Sequence, residues 1–220
     1  MGDGGAEHPI LNIEGELVAL GPLRRDLLPL YQRWINNLGT TRTLDLPPYP
    51  MTREKDQDWY DQQSRAENDV PLTLYERETL RPLGNTGLTG VDYRNRTATF
   101  GIIIGEPECR GRGYGTETTR LMLDYAFTAL GLHNVMLIVF QFNVAVIMAY
   151  QKAGFKEFGR RRECRLMGGK LWDEIHMDCL STEFERPVTP GKEWGFSAWR
   201  PPGDTDQELE RVVPLPPPNR

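Results

Sequence analysis

The sequence lacks most features that mark membrane, secreted or nucleic-acid-binding chains. No run approaches the ~18 consecutive apolar residues that a membrane-spanning helix needs, so no membrane partner is expected. Residues Met1 to Glu16 carry acids, glycines and a proline, without a basic segment leading into an apolar stretch, and no secretory leader is expected. The three cysteines, Cys109, Cys164 and Cys179, are too few and too scattered for a disulfide framework. They also lack the C-x-x-C spacing of a zinc site. A reduced, cytoplasmic protein without a metal is the economical reading. An excess of positive charge is missing as well: 26 Lys and Arg stand against 31 Asp and Glu, a net charge of −5. That disfavours a binder driven by neutralising nucleic-acid phosphates. It suits a cationic or amine-bearing substrate, and equally the mild acidity that keeps many proteins soluble. Internal repeats are absent.

What is present is an ordinary globular composition, 39% hydrophobic and 26% charged over 220 residues, enough for one generous domain with a short appendage. Residues 1–15 are too polar to offset the entropy of ordering and are expected to be flexible. Residues 16–180 carry the periodic patterns of a folded domain. Residues 181–220 form a Pro-rich extension with the run Pro216-Pro217-Pro218, unsuited to helix or central strand. That extension also holds Trp194, Phe196 and Trp199, so it is expected to dock in part on the body or on a second subunit of a homodimer.

The domain itself reads as α+β, a mixed fold. Leu27, Leu30, Tyr31 and Trp34 share one face of a helix over about 26–36, with Pro29 in its tolerant first turn. Asn36 to Pro50 reads as a long loop suited to forming a binding wall, and Thr52 can cap a helix over about 53–65. Strand patterns at Leu72–Tyr75, Leu83–Asp92 and Ala98–Ile104, with short connections, predict an antiparallel meander. A helix over about 115–130 follows, then a buried strand from His133 to Phe140. A second helix runs from Asn143 to Ala153 and stops at Gly154. The pattern closes with a hairpin turning at Gly168-Gly169.

The most informative string is Arg110-Gly111-Arg112-Gly113-Tyr114-Gly115-Thr116, set between the apolar strand ending at Ile104 and a helix. Glycines there let backbone amides approach an anion at a helix N-terminus, where the dipole favours negative charge. Two arginines add charged donors. A phosphate or pyrophosphate ligand follows. The spacing is neither a Walker loop nor G-x-G-x-x-G, and as a lone feature it would suit a tight turn equally well.

The string does not stand alone. It fits Arg/Gln-x-x-Gly-x-Gly/Ala as Arg110-x-x-Gly113-x-Gly115, and Asn143, Tyr150, Lys152, Gly154 and Phe155 follow in N-x-x-A-x-x-x-Y-x-K-x-G-F order, with Val146 where that pattern has alanine. Over roughly residues 15–180 the chain resembles the GNAT superfamily of acetyl-CoA-dependent N-acetyltransferases. The likeness is to the branch of ribosomal-protein alanine and spermidine acetyltransferases. Supporting strings are Gln32-Arg33-Trp34-Ile35, Leu123-Asp124-Tyr125-Ala126-Phe127 and Trp172-Asp173-Glu174-Ile175-His176-Met177.

The resemblance implies a mostly antiparallel central sheet with helices on both faces and a splayed strand pair that binds acyl-CoA. It implies that the amides of Gly111, Gly113, Tyr114, Gly115 and Thr116 hold the pyrophosphate, with Arg110 and Arg112 shielding its charge. Main-chain groups of Ile102 and Ile104 would face the pantetheine arm and the thioester carbonyl, with Asn143 beside them. Tyr150 would act as general acid toward the departing thiolate. Tyr150 also suits a half-buried core position, and Asn143 an N-cap. Where related polyamine enzymes carry a glutamate, this chain has Thr99. Asp92 is therefore the base candidate, with Glu174 and His176 as others. Cys109 adjoins the loop, but no His–Asp pair at recognisable spacing supports a covalent acyl-enzyme. The expected reaction is direct acetyl transfer in a ternary complex to a primary amine on a protein N-terminus, a polyamine or another small molecule. A non-catalytic acyl-CoA sensor is the alternative, which the presence of Tyr150 disfavours.

Overall fold

The computed structural model describes residues 8–44 and 49–186. The expected aromatic contacts of Trp194, Phe196 and Trp199 fall outside the described residues. So does the part of the Asn36–Pro50 wall over residues 45–48.

Eight strands form one sheet: β1 (Ile13–Glu14), β2 (Val18–Pro22), β3 (Val70–Glu76), β4 (Pro82–Asp92), β5 (Thr97–Ile104), β6 (Asn134–Phe140), β7 (Lys156–Met167) and β8 (Lys170–Leu180). Their order is β1-β2-β3-β4-β5-β6-β8-β7, and every neighbouring pair is antiparallel except β5 with β6. The expected meander is β3-β4-β5, and the expected Gly168-Gly169 turn joins β7 to β8. β1 lies within the stretch read as flexible; Ile13 and Glu14 pair with Leu20 and Ala19.

The helices are α1 (Leu28–Ile35), α2 (Leu38–Thr41), α3 (Arg53–Gln63), α4 (Tyr114–Asp124) and α5 (Val144–Ala153), and a π-type turn over Tyr125–Ala129 continues α4. None is long and apolar enough to cross a membrane. Thr52 caps α3 as expected, its side chain accepting from the Lys55 amide. The short α2 interrupts what reads as loop, because Asn37 caps it by accepting from the Gly39 amide.

Strand alternation divides the helices between the two faces. Leu72 and Leu74 of β3 turn toward α4, into a core shared with Leu121, Met122, Val135, Phe155 and Met177. Thr73, between them, faces α1, where its hydroxyl meets Tyr31 Oη at 2.6 Å. Leu28, Tyr31 and Trp34 of α1 build a second, smaller core with Trp59 and Tyr60 of α3. The sheet thus has α4 and α5 on one face and α1 and α3 on the other.

The decisive irregularity lies in the middle. β5 and β6 pair only at Thr97–Asn134, Ala98–Val135 and Thr99–Met136. Past those positions β5 stays on β4 as far as Ile104, while β6 stays on β8 as far as Phe140. The strands therefore diverge and open a wedge in the sheet.

Candidate active site

The wedge exposes main-chain groups that a closed sheet would hide. Gly105 donates its amide to Leu83 O on β4 at 2.9 Å. Because amides alternate between the two edges of a strand, those of Ile102 and Ile104 point the other way, into the wedge. Just beyond, Gly113 takes φ +89° as the N-cap residue of α4, a conformation open to glycine at little cost. The amides of Gly111, Arg112, Gly113, Tyr114, Gly115 and Thr116 donate to no protein acceptor among the described residues. Six unspent donors at the positive end of an α-helix form an anion cradle.

The side chains around this cradle divide their work. Arg110 is exposed but engaged: its guanidinium donates to Ile104 O at 3.1 Å, Thr40 Oγ1 at 2.9 Å and Gly39 O at 3.5 Å, so it clamps α2 to the end of β5. Arg112 is exposed as well, with its charge near the Glu76 carboxylate. Tyr114 is buried and donates to Glu76 Oε1 at 2.6 Å, leaving its amide for the cradle. Glu117, in the first turn of α4, accepts from the amides of Glu16, Leu17 and Val18 at 2.7, 2.8 and 3.0 Å. That brace was not legible in the sequence, since its partners lie about a hundred residues away.

Tyr150 approaches the wedge from α5. Its ring packs edge-on against Phe100, the first β5 residue past the paired segment, at 6.2 Å, and against Phe155 at 5.9 Å. Its hydroxyl bonds to no group among the described residues, and burial pushes its pKa well above the usual phenol value. Asn143 occupies the N-cap position of α5, yet its side chain makes no capping bond and is left for a ligand.

Asp92 lies elsewhere. It pairs with Thr97 at the closed end of the β4–β5 hairpin, and its carboxylate accepts from the Asn95 amide at 2.8 Å and from Asn95 Nδ2 at 2.7 Å. Those bonds hold its pKa below the usual range. Five residues of extended strand, about 16 Å, separate the level of Thr97 from Ile102, so the structure does not bring Asp92 to the wedge. Cys109 is buried with its Sγ 2.8 Å from Arg81 Nη2, also away from the opening.

On the α1–α3 face a cleft of about 470 Å³ lies over β4 and β5. Its walls include Leu23, Leu44 and Trp59, and its floor Asn85, Thr99 and Ile103. The Nδ2 of Asn85 is buried there without a hydrogen-bond partner. Trp34 does not line the cleft; it packs so closely on Gly105 that a β-carbon there would lie 2.2 Å from its ring. Its Nε1 donates to Glu106 at 2.8 Å.

An anion cradle, a split parallel strand pair and a cleft that meets them at Gly101–Ile103 make one composite site. Residues 18–156 match the family described as acetyltransferase (GNAT) domain. The chain belongs to the GNAT acetyltransferase family. It is an acetyl-CoA-dependent N-acetyltransferase, and the cradle and wedge suit the pyrophosphate and pantetheine arm of that co-substrate. The spermidine N(1)-acetyltransferase of Escherichia coli K12 is 30% identical over 176 residues, 80% of this chain and 92% of its own length. The human alpha/beta-tubulin-N-acetyltransferase 9 is 41% identical over 158 residues, 65% of this GNAT chain and 74% of its own. Among solved structures, the Vibrio cholerae spermidine N-acetyltransferase in complex with CoA and spermine superposes with a TM-score of 0.71 at 25% identity, covering 77% of this chain and 98% of the other.

Proposed function

We propose that this GNAT enzyme passes the acetyl group directly from acetyl-CoA to a primary amine while both are bound. The carrying observation is that the β5 segment Gly101–Ile103, freed from β6, also lines the acceptor cleft. In this reading the cradle amides and Arg112 hold the pyrophosphate, and Asn143 contacts the pantetheine arm. The Ile102 amide stabilises the carbonyl oxygen as it gains charge. Tyr150, kept protonated by its burial, donates to the departing thiolate. The sensor alternative leaves that buried, unpaired phenol without a task.

For the acceptor, the cleft favours an amine carried on a neutral, amide-bearing body, such as a peptide N-terminus. Its described lining residues include no carboxylate, whereas a polyamine brings several positive charges that need counter-ions. The unpaired Asn85 Nδ2 offers a donor to a peptide carbonyl, and the apolar walls suit a following side chain. A protein acceptor is also what the human relative is named for. The second reading is a polyamine, favoured by the names of the bacterial relatives.

Release of free thiol from acetyl-CoA should be followed with peptides bearing free N-termini and, in parallel, with spermidine and spermine. Turnover with peptides at a kcat/KM at least about tenfold above the polyamines supports the first reading. Turnover confined to polyamines replaces it with the second. No turnover with any amine, despite acetyl-CoA binding by calorimetry, restores the sensor.

A further inference from the structure

No acid stands at Thr99 and Asp92 is turned into a hairpin, so the ammonium form of the acceptor still needs a proton acceptor. Strand β8 supplies a candidate pair. Ile175, Met177 and Cys179 point into the α4–α5 core, so Glu174, His176 and Asp178 project from the α1–α3 face, the side of the acceptor cleft. His176 sits opposite Ile138 and Glu174 opposite Phe140, both on the stretch of β6 that has left β5. Ile138 is 40% exposed, so the strip of β6 between His176 and the wedge is open to solvent. A chain of contacts ties this patch to the cleft wall. Arg165 lies over the Phe140 ring at 4.6 Å and donates to Leu44 O at 2.8 Å, and Leu44 lines the cleft.

His176 Nε2 lies 3.0 Å from Glu174 Oε1, with the carboxylate side chain only 9% exposed and the imidazole 26%. The contact becomes an ion pair when the imidazole takes up a proton, so the carboxylate favours the proton-loaded ring. Nδ1 has no partner among the described residues. A largely buried acid beside an accessible imidazole stabilises the ring once it has taken a proton, which is what a general base requires.

We propose that His176 is the catalytic base that takes a proton from the acceptor ammonium, and that Glu174 is its positioning residue. This rests on the amine-transfer reading above. The R–NH3⁺ group gives one proton to Nδ1, directly or through one water, and the lone pair so freed attacks the thioester carbon. As the C–S bond breaks, the thiolate takes a proton from Tyr150, and the second proton lost from nitrogen restores the phenol. The imidazolium then returns its proton to solvent, so each turnover releases one proton, one thiol and one amide. The groups facing His176 are Ile138 of β6, Asp178 two residues along β8, and, from β7, Gly159 directly opposite and the Phe158 ring at 6.0 Å. Arg161 of β7 faces Glu174, Lys156 faces Asp178, and Asp178 is engaged by Asn134 Nδ2 at 3.0 Å.

The test is the pH profile of kcat/KM for the full chain, with wild type, His176→Gln and Glu174→Gln, using whichever amine the thiol-release panel identifies. The wild-type profile should differ in shape from that of His176→Gln. His176→Gln should be about 100-fold slower at pH 7 and recover toward alkaline pH, where the amine deprotonates unaided. Glu174→Gln should lower kcat several-fold while leaving the KM for the amine nearly unchanged, because the imidazole loses the contact that positions it. Acetyl-CoA affinity by calorimetry should stay unchanged in both, which separates a lost base from a lost fold. A His176→Gln profile that overlays wild type overturns the proposal while leaving amine transfer intact. A wild-type chain that acetylates no amine overturns both.

Discussion

Replacing Glu117 by alanine tests whether the donor half of the site is held from outside the cradle. The carboxylate receives three amides, two from exposed residues and one from buried Val18. A bond to a charged acceptor contributes ~1.5–3 kcal/mol. Water replaces most of what Glu16 and Leu17 lose, whereas the Val18 amide has no such recourse. The expected cost is therefore ~2–3 kcal/mol, well below the sum of three full bonds. At ~2–4 °C per kcal/mol for a domain of this size, melting should fall by ~4–12 °C. The β1–β2 turn also braces the cradle, since Leu17 Cδ1 lies 3.3 Å from where a Gly113 β-carbon would stand. Loosening that turn should raise the Kd for acetyl-CoA by ~5-fold, about 1 kcal/mol. Calorimetric melting with and without acetyl-CoA, beside a binding titration, reads both effects. Glutamine, which keeps one acceptor oxygen, should recover about half of the stability. An alanine variant melting within ~2 °C of wild type and binding acetyl-CoA equally well would refute the brace.

Three further outcomes follow from named contacts. Tyr150→Phe should lower kcat by ~100-fold or more with little change in KM or melting temperature, because the hydroxyl bonds to nothing in the described chain; and since burial raises its pKa, wild type should show no alkaline loss from this group below pH ~10. Asp92→Ala should leave kcat/KM within about twofold of wild type while destabilising the hairpin. The pKa of Asp92 is depressed by Asn95, so its contribution is present above the unfolded carboxylate value of ~3.9 and is lost as pH falls through the lower folded value; the variant's melting curve should converge on wild type in acid. Arg186→Ala withdraws the cation 3.4 Å from buried Asp124 and should lower stability by ~1–2 kcal/mol, whereas ending the chain after Arg186 tests whether the aromatic extension docks or dimerises the protein, an idea sunk by an unchanged melting temperature and sedimentation coefficient.

What could be read before any coordinates were features written locally. The Gly113 N-cap, the Thr52 cap, the Gly168-Gly169 turn and the alternation along β8 each need only a few consecutive residues. The order of strand, glycine-rich loop and Asn143–Tyr150 helix carried the family and its fold. Illegible were the contacts that join distant segments. Nothing in the periodicity of α4 says that Glu117 reaches back to residue 16, or that Arg165 crosses to Leu44. Arg110 was readable as a cation beside an anion loop, but not as one engaged by three oxygens of its own chain. Asp92 looked available as a base because its position in sequence precedes β5; the hairpin carries it to the closed end of the strand pair.

The Arg110 clamp has a kinetic meaning. One guanidinium holds the last carbonyl of the donor strand and the short helix leading to the acceptor wall. The two substrates' containers are thereby tied together, so any shift of the glycine loop around an incoming pyrophosphate would be carried to Thr40. Under the direct-transfer reading, the amine would then meet a wall already shaped by the nucleotide, and acetyl-CoA would lead in a compulsory order. An acceptor analogue would accordingly inhibit competitively against the amine and uncompetitively against acetyl-CoA.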